Sequence, residues 1–223
     1  MKIIIPLQTC STRVKHKNIR PFYGDKSLFD IKAEQILTFE KAENVYVSSE
    51  NVIVEKLCEK YNFNFMLRNP SLCGNEIYQP DLVKALTDPL PGSDDIAWIQ
   101  VTSPLFNDFE KALVKWNEIR DHHDSLVAVK KFKGHLIDEQ ANPINYSFGY
   151  WHKVSQKLPP LYSVLWSLFI LKRETVKKFQ YHIGVNPYLF VTDSMVIDID
   201  YEEDFNLAQI IYKKLQSNPQ IES

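Results

Sequence analysis

The chain has 223 residues, a formal net charge of −2 and 44% hydrophobic residues, which suits one α/β domain with a sizeable core. The lack of a basic excess argues against a general nucleic-acid binder and against attachment to a membrane by a basic face. No apolar stretch approaches the roughly 18 residues needed to span a bilayer, and the short apolar opening lacks the longer core and cleavage site of a signal peptide, so a cytoplasmic protein is expected.

Strand-like and helix-like runs alternate along the chain, the pattern of an α/β fold with a mainly parallel sheet. Strands are predicted at Lys2–Pro6, Asn44–Ser48, Asn64–Met66, Ile96–Gln100, Leu126–Val129, Ser167–Leu171 and Val196–Asp198. Helices are predicted at Ser27–Phe39, Asn51–Tyr61, Pro80–Thr87, Asp108–Arg120 and Glu202–Leu215. In the last, Phe205, Ala208, Ile211, Tyr212 and Leu215 recur at helical spacing, and Asp200 with Glu203 forms a candidate capping box. Residues 130–160 interrupt the rhythm with Pro143, Tyr146, Phe148, Tyr150, Trp151 and Pro159-Pro160. A structureless loop of that length inside a compact domain is improbable. The expectation is one domain over 1–223, with 130–160 as a small extension that has its own strands and packs on another subunit.

Three places carry candidate chemistry. The first strand empties into a polar, basic stretch with Ser11, Arg13, Lys17 and Asn18. Such a stretch fits a phosphate grip, in which backbone N–H groups and cations converge on one anion, and equally a solvated basic turn. It is not a Walker loop, having no glycine before Gly24. Asp198 and Asp200 are two apart in Val196-Ile197-Asp198-Ile199-Asp200, so on a strand they share a face while Ile197 and Ile199 point into the core. Paired carboxylates at a strand end suit Mg²⁺ completed by substrate phosphates; alternatively Asp200 caps the next helix. Gln100, Thr102 and Ser103 form a polar cluster at a predicted strand's carboxyl end, where open α/β sheets place ligands. Arg68, before Asn69-Pro70, can reach a base or a phosphate, or sit as a surface residue. Cys10, Cys58 and Cys73 make neither a zinc pattern nor a disulfide framework; Cys10, inside the basic stretch, is the one thiol of interest.

These pieces, in this order, resemble the cytidylyltransferases of the acylneuraminate type, which make CMP-activated acidic sugars. The family's opening loop, P-A-R-x-G-S-K-R-x-x-x-K-N, stands here as Pro6-Leu7-Gln8-Thr9-Cys10-Ser11-Thr12-Arg13-Val14-Lys15-His16-Lys17-Asn18. Its V-S-T-D is Val47-Ser48-Ser49-Glu50, its arginine-proline segment Arg68-Asn69-Pro70, and its L-Q-P-T-S-P Ile99-Gln100-Val101-Thr102-Ser103-Pro104. Its I-D-I-D-x-x-x-D is Ile197-Asp198-Ile199-Asp200 with Asp204. The resemblance implies a three-layer, Rossmann-like α/β fold with a mixed, mostly parallel sheet (the nucleotide-diphospho-sugar transferase fold), CTP as donor, Mg²⁺ as cofactor and a dimer built partly by an arm such as 130–160.

It also implies roles: Lys17 and Arg13 on the triphosphate, with Gln8, Ser11 and Asn18 in the same loop; Arg68 near the cytosine; Asp198 and Asp200 on the metal; Gln100, with Thr102 and Ser103, on the acceptor sugar. Three departures stand out. Gln8 replaces an arginine, Cys10 replaces a glycine, and Leu165-Trp166 replaces the asparagine-glycine that lines the sugar pocket. The implied activity is CTP-dependent formation of a CMP-sugar of the sialic, legionaminic or pseudaminic kind for surface glycan synthesis. The departures keep open a different acceptor, or a non-catalytic relative that binds nucleotide.

Overall fold

A computed structural model describes residues 1–74 and 76–217. The elements follow in chain order: β1 (Lys2–Pro6), a small hairpin of β2 (Pro21–Tyr23) and β3 (Lys26–Ser27), α1 (Leu28–Leu37), β4 (Val45–Ser49), α2 (Ile53–Tyr61), β5 (Asn64–Leu67) and α3 (Gln79–Thr87). Then come β6 (Ile96–Ile99), α4 (Phe109–Ile119), β7 (Ser125–Phe132), β8 (Leu161–Leu171), α5 (Arg173–Phe179), β9 (Pro187–Val191) and α6 (Glu202–Ser217). Seven strands form one sheet in the order β5-β4-β1-β6-β8-β7-β9. β5, β4, β1 and β6 run parallel; β8 runs antiparallel to both β6 and β7; β9 returns parallel to β7. This is the expected α/β class with a mixed, mostly parallel sheet.

The period-two alternation of the strands builds the layers. Ile3 and Ile5 of β1, Ala97 and Ile99 of β6, and Leu168 and Ile170 of β8 face one core shared with α1, α2, α4 and α6. Their neighbours Ile4, Ile96, Trp98, Phe169 and Leu171 face the other, closed by Leu82, Val83 and Leu86 of α3 and Val176 of α5. Because both faces are covered, the strands read as continuous apolar runs, which is why they were legible. α1 starts at a capping box: Asp30 N–H donates to Ser27 Oγ at 3.2 Å, and Ser27 N–H donates to Asp30 Oδ2 at 2.8 Å.

Three expectations need correction. Val196–Asp198 is not a strand; the strand beside β7 is Pro187–Val191. In Pro187-Tyr188-Leu189-Phe190-Val191 the inward positions Tyr188 and Phe190 are only partly buried, and the flanking proline masks the pattern. The expected pairing of Asp200 with Glu203 at the last helix gives way to Asp204, whose Oδ2 accepts from the N–H groups of Asp200 and Tyr201 at 3.0 and 2.8 Å. Finally, the 130–160 stretch has no strands of its own. Beyond Val129, which still pairs with Val191 of β9, β7 and β8 continue as a pair from Lys130↔Ser163 to Phe132↔Leu161. Among the described residues their connection holds one bridge, Ile137↔Pro143, and two short 3₁₀ turns at Gly149–Trp151 and Ser155–Lys157. His135, Tyr146, Phe148 and His152 form its aromatic cluster.

Candidate active site

The four parallel strands end on one edge of the sheet, and a cleft of about 420 Å³ opens there. β1 delivers Gln8, Cys10, Ser11, Arg13, Lys17 and Asn18; the turn after β5 delivers Arg68; β6 delivers Trp98, Gln100 and Thr102; and the approach to α6 delivers Asp198 and Asp200. Ser103 is not part of this wall. It is fully buried, and its carbonyl accepts from Lys32 Nζ at 3.1 Å.

The segment with the two aspartates reaches the cleft without strand pairing. Ile199 N–H donates to Thr102 O at 3.0 Å, and Lys130 Nζ donates to Asp193 O at 3.0 Å. Asp108, at the start of α4, accepts from Ser194 Oγ at 2.8 Å and from Thr192 Oγ1. The expected alternation survives: Ile199 is buried, while Asp198 is exposed and Asp200 partly so.

The two ends of the chain meet here. Arg13 NH2 lies 2.7 Å from Asp200 Oδ1, and Lys17 Nζ lies 3.7 Å from the same atom and donates to Ile199 O. The guanidinium of Arg13 also lies over the Tyr201 ring, 5.3 Å from its centroid. Burial holds the Lys17 amine below its usual pKa, against the pull of Asp200 and Asp198. Arg13 and Asp200 are each nearly half exposed, so this pair is screened and readily exchanged for another charge. Lys17 is far less exposed.

The opposite wall hangs on Glu50. Its Oε1 accepts from the N–H and Oγ1 of Thr9, both at 2.7 Å, and its Oε2 accepts from Arg68 NH2 at 3.2 Å. Burial alone would raise this carboxyl, but the bonds from Thr9 and its own backbone, with the charge of Arg68, together hold it at about 2. Arg68 is 3% exposed and retains Nε and NH1 without partners, so a buried guanidinium edge stays open beside the cleft. Asn18 Nδ2 donates to Gln8 O at 2.9 Å, bracing the loop. Burial and the Glu50 carboxylate push the Cys10 thiol up, which makes it the opposite of an activated nucleophile.

Two carboxylates, Asp198 and Asp200, form the available hard-oxygen set. Among the described residues no group of three or more His, Cys, Asp or Glu side chains could hold a metal. That donor set fits Mg²⁺, which is commonly held by one or two carboxylates plus substrate phosphates, and does not fit an all-protein cage. His182, Gln79 and Leu82 also line the cleft and were not anticipated. Trp98 was missed because it lies inside a strand, and His182 because it lies in a connection far along the chain from every motif.

Residues 2–86 match the model of the cytidylyltransferase family. N-acylneuraminate cytidylyltransferases of three Streptococcus agalactiae strains, of serotypes III, Ia and V, are 23% identical over 219 residues. The match takes in 91% of this chain, and the chain spans about half the length, 51%, of those relatives. Among solved structures, CMP:2-keto-3-deoxy-manno-octonic acid synthetase complexed with CTP superposes with a TM-score of 0.66 at 11% identity, covering 96% of this chain and 98% of that one. A 4-diphosphocytidyl-2C-methyl-D-erythritol synthase from Anaerococcus prevotii gives 0.65 at 13% identity, covering 95% and 98%. The fold is thus one shared with these solved structures, and by sequence the chain is similar to cytidylyltransferases over its amino-terminal part and, at 23% identity, to N-acylneuraminate cytidylyltransferases.

Proposed function

We propose that the protein is a cytidylyltransferase that transfers CMP from CTP to an acidic sugar acceptor and releases pyrophosphate. The observation that carries this reading is the meeting of Arg13 and Lys17 with Asp200 in one cleft, since a nucleoside triphosphate with its cation needs both signs of charge at one place. The amino-terminal family match supports CTP as the donor.

In this reading Lys17 and Arg13 offset charge on the phosphates. Arg13 leaves Asp200 for the triphosphate, while Asp198 and Asp200 would hold Mg²⁺. Bound there, Mg²⁺ would polarise the α-phosphoryl group. Gln8, Ser11 and Asn18 shape the phosphate loop, and the open edge of Arg68 offers donors to the base or to a phosphate. Gln100 and Thr102, across β6, face the acceptor. The acceptor hydroxyl attacks the α-phosphorus, the bond to the bridging oxygen breaks and pyrophosphate leaves. No covalent intermediate on the protein is required, so positioning and electrostatics supply the acceleration.

The test is pyrophosphate release from each of the four nucleoside triphosphates, with Mg²⁺, across a panel of acidic sugars. CTP-selective turnover is expected. Lys17→Met and Asp200→Asn are expected to lower kcat/KM by at least 100-fold; full activity in both would refute the assignment. The reading also takes the protein as cytoplasmic and as a homodimer. Tyr150, Trp151 and Ile144, 91%, 74% and 60% exposed, are the apolar surface of the extension that a second copy would cover. Sedimentation equilibrium tests this, with a monomer at all concentrations as the contrary result.

A further inference from the structure

The cleft is divided by charge along the strand order. Its cations, Arg13, Lys17 and Arg68, follow β1 and β5. Over β6 and β8 the lining changes to Trp98, Trp166 and His182. His182 follows α5 and lies with its ring centroid 4.4 Å from Trp98, 5.6 Å from Trp166 and 5.3 Å from Phe169. It is 1% exposed, yet neither ring nitrogen has a hydrogen-bond partner, and neither does Nε1 of Trp98. Thr102 Oγ1, on the same wall, is also without a partner. Buried polar side chains nearly always find partners, so this group of unpaired atoms beside a cavity points to a ligand that supplies them.

Burial pushes the imidazole down to about 4, so it is neutral at ordinary pH and offers one N–H donor and one nitrogen acceptor. The indole N–H of Trp98 adds a donor, and the ring faces add apolar contact. Among the described lining residues this half of the cleft holds no cation to neutralise a carboxylate.

We propose that His182, with Trp98 and Trp166, is the specificity-determining subsite for the neutral portion of the acceptor, a hydroxyl- or acylamino-bearing face of a saturated ring. The acceptor's acidic group lies toward the cationic half. This inference rests on the cytidylyltransferase reading above and deepens it. A hydroxyl or acylamide both donates and accepts, matching the imidazole, and the CH-rich face of a sugar ring packs on indole. Trp166 lines this half as well and adds to its apolar character.

The test uses protein labelled with ¹⁵N-histidine and saturated with the α,β-methylene analogue of CTP and Mg²⁺, so that no turnover occurs. The His182 imidazole resonances are identified by their loss in His182→Phe. N-acetylneuraminic acid and 2-keto-3-deoxy-octonic acid are the probes. Addition of at least one sugar is expected to shift those resonances saturably, while nucleotide alone leaves them within linewidth. His182→Phe is expected to weaken sugar binding at least tenfold with less than twofold change in nucleotide affinity. His182→Gln, which keeps a donor and an acceptor, is expected to restore most of it. Nucleotide binding without a sugar-induced shift for either probe overturns the subsite alone, as does an equal loss of sugar and nucleotide affinity in both variants. Failure of the wild-type protein to bind the nucleotide overturns the cytidylyltransferase reading and the subsite with it.

Discussion

Glu50 shows how one side chain sets the shape of a binding wall. Its carboxylate reaches Thr9 in one loop and Arg68 in another. Glu50→Gln keeps the size but removes the charge, leaving the Arg68 guanidinium buried without its counter-ion. The expected loss is about 1–3 kcal/mol of stability, the usual cost of stranding a buried polar partner, with a higher KM for CTP because the loop at Thr9 loosens. The pH dependence has a definite sign. The folded carboxyl is depressed from 4.5 to about 2, so its stabilisation is present above pH 4.5 and is lost as pH falls through 2. Urea denaturation of both proteins from pH 2 to pH 7 checks this: the difference between them should shrink toward the acid end. At this scale the sequence was informative wherever chemistry was local. Arg13, Lys17 and Asp200 stand in recognisable short motifs. His182 belongs to no motif, and its meaning comes only from Trp98 and Trp166, brought to it by the packing of the sheet.

α1 illustrates how an element positions the site from behind. Lys32 lies on its core-facing side, 0% exposed, and donates to the carbonyls of Ser103 and Phe106, both at 3.1 Å. It therefore braces the turn that follows β6 and begins at Gln100 and Thr102. Desolvation pulls its amine down from 10.5 to about 7. Between those values the unfolded chain binds a proton that the folded chain does not, so stability rises with pH from 7 to 10.5 and the penalty is constant below 7. The slope from this one group reaches at most about 1.4 kcal/mol per pH unit. Lys32→Met removes the titrating group while keeping an unbranched stem of similar length. Its unfolding free energy is expected to be flatter than the wild type's across pH 7 to 10, which chemical denaturation at fixed temperature will show; parallel curves would contradict the assignment. The same element-level view explains what was legible. β1, β4, β5 and β6 are short apolar runs whose ends carry polar motifs, and their placement was clear. Residues 196–200 have strand-like alternation because Ile199 is buried in the core and Ile197 packs against it, yet the N–H of Ile199 goes to Thr102 O rather than to a ladder. Alternation reports burial, and pairing is decided by which edge is free, here taken by β9 beside β7.

Across the whole molecule, the site is made by residues nearly two hundred positions apart. The loop after β1 is tied to the segment before α6 by Arg13 and Lys17 at Asp200, and by Arg20, whose NH1 and NH2 reach Glu202 at 2.9 and 2.6 Å. Arg20 also lies over the Phe205 ring, 3.8 Å from its centroid. Behind it Phe22 of β2 packs edge-on against Phe205 and Tyr212 of α6. A ligand that replaces the half-exposed Arg13–Asp200 contact with phosphate and cation bonds both ends at once, so it stabilises the fold as a unit. If it binds only the folded state, a concentration of 100 times its Kd adds about 2.7 kcal/mol, or roughly 5–11 °C in Tm for a domain of this size. The local prediction is sharper. On adding CTP with Mg²⁺, amide exchange should slow together in residues 8–20 and 198–204, whereas the surface turns at 138–142 should not change. Asp200→Asn should remove most of the effect at both ends, because Asp200 Oδ1 is the atom that Arg13 and Lys17 share. Protection confined to the amino-terminal loop would mean that nucleotide binds without the carboxylate segment, and the two-ended site would then be wrong even if CTP binds.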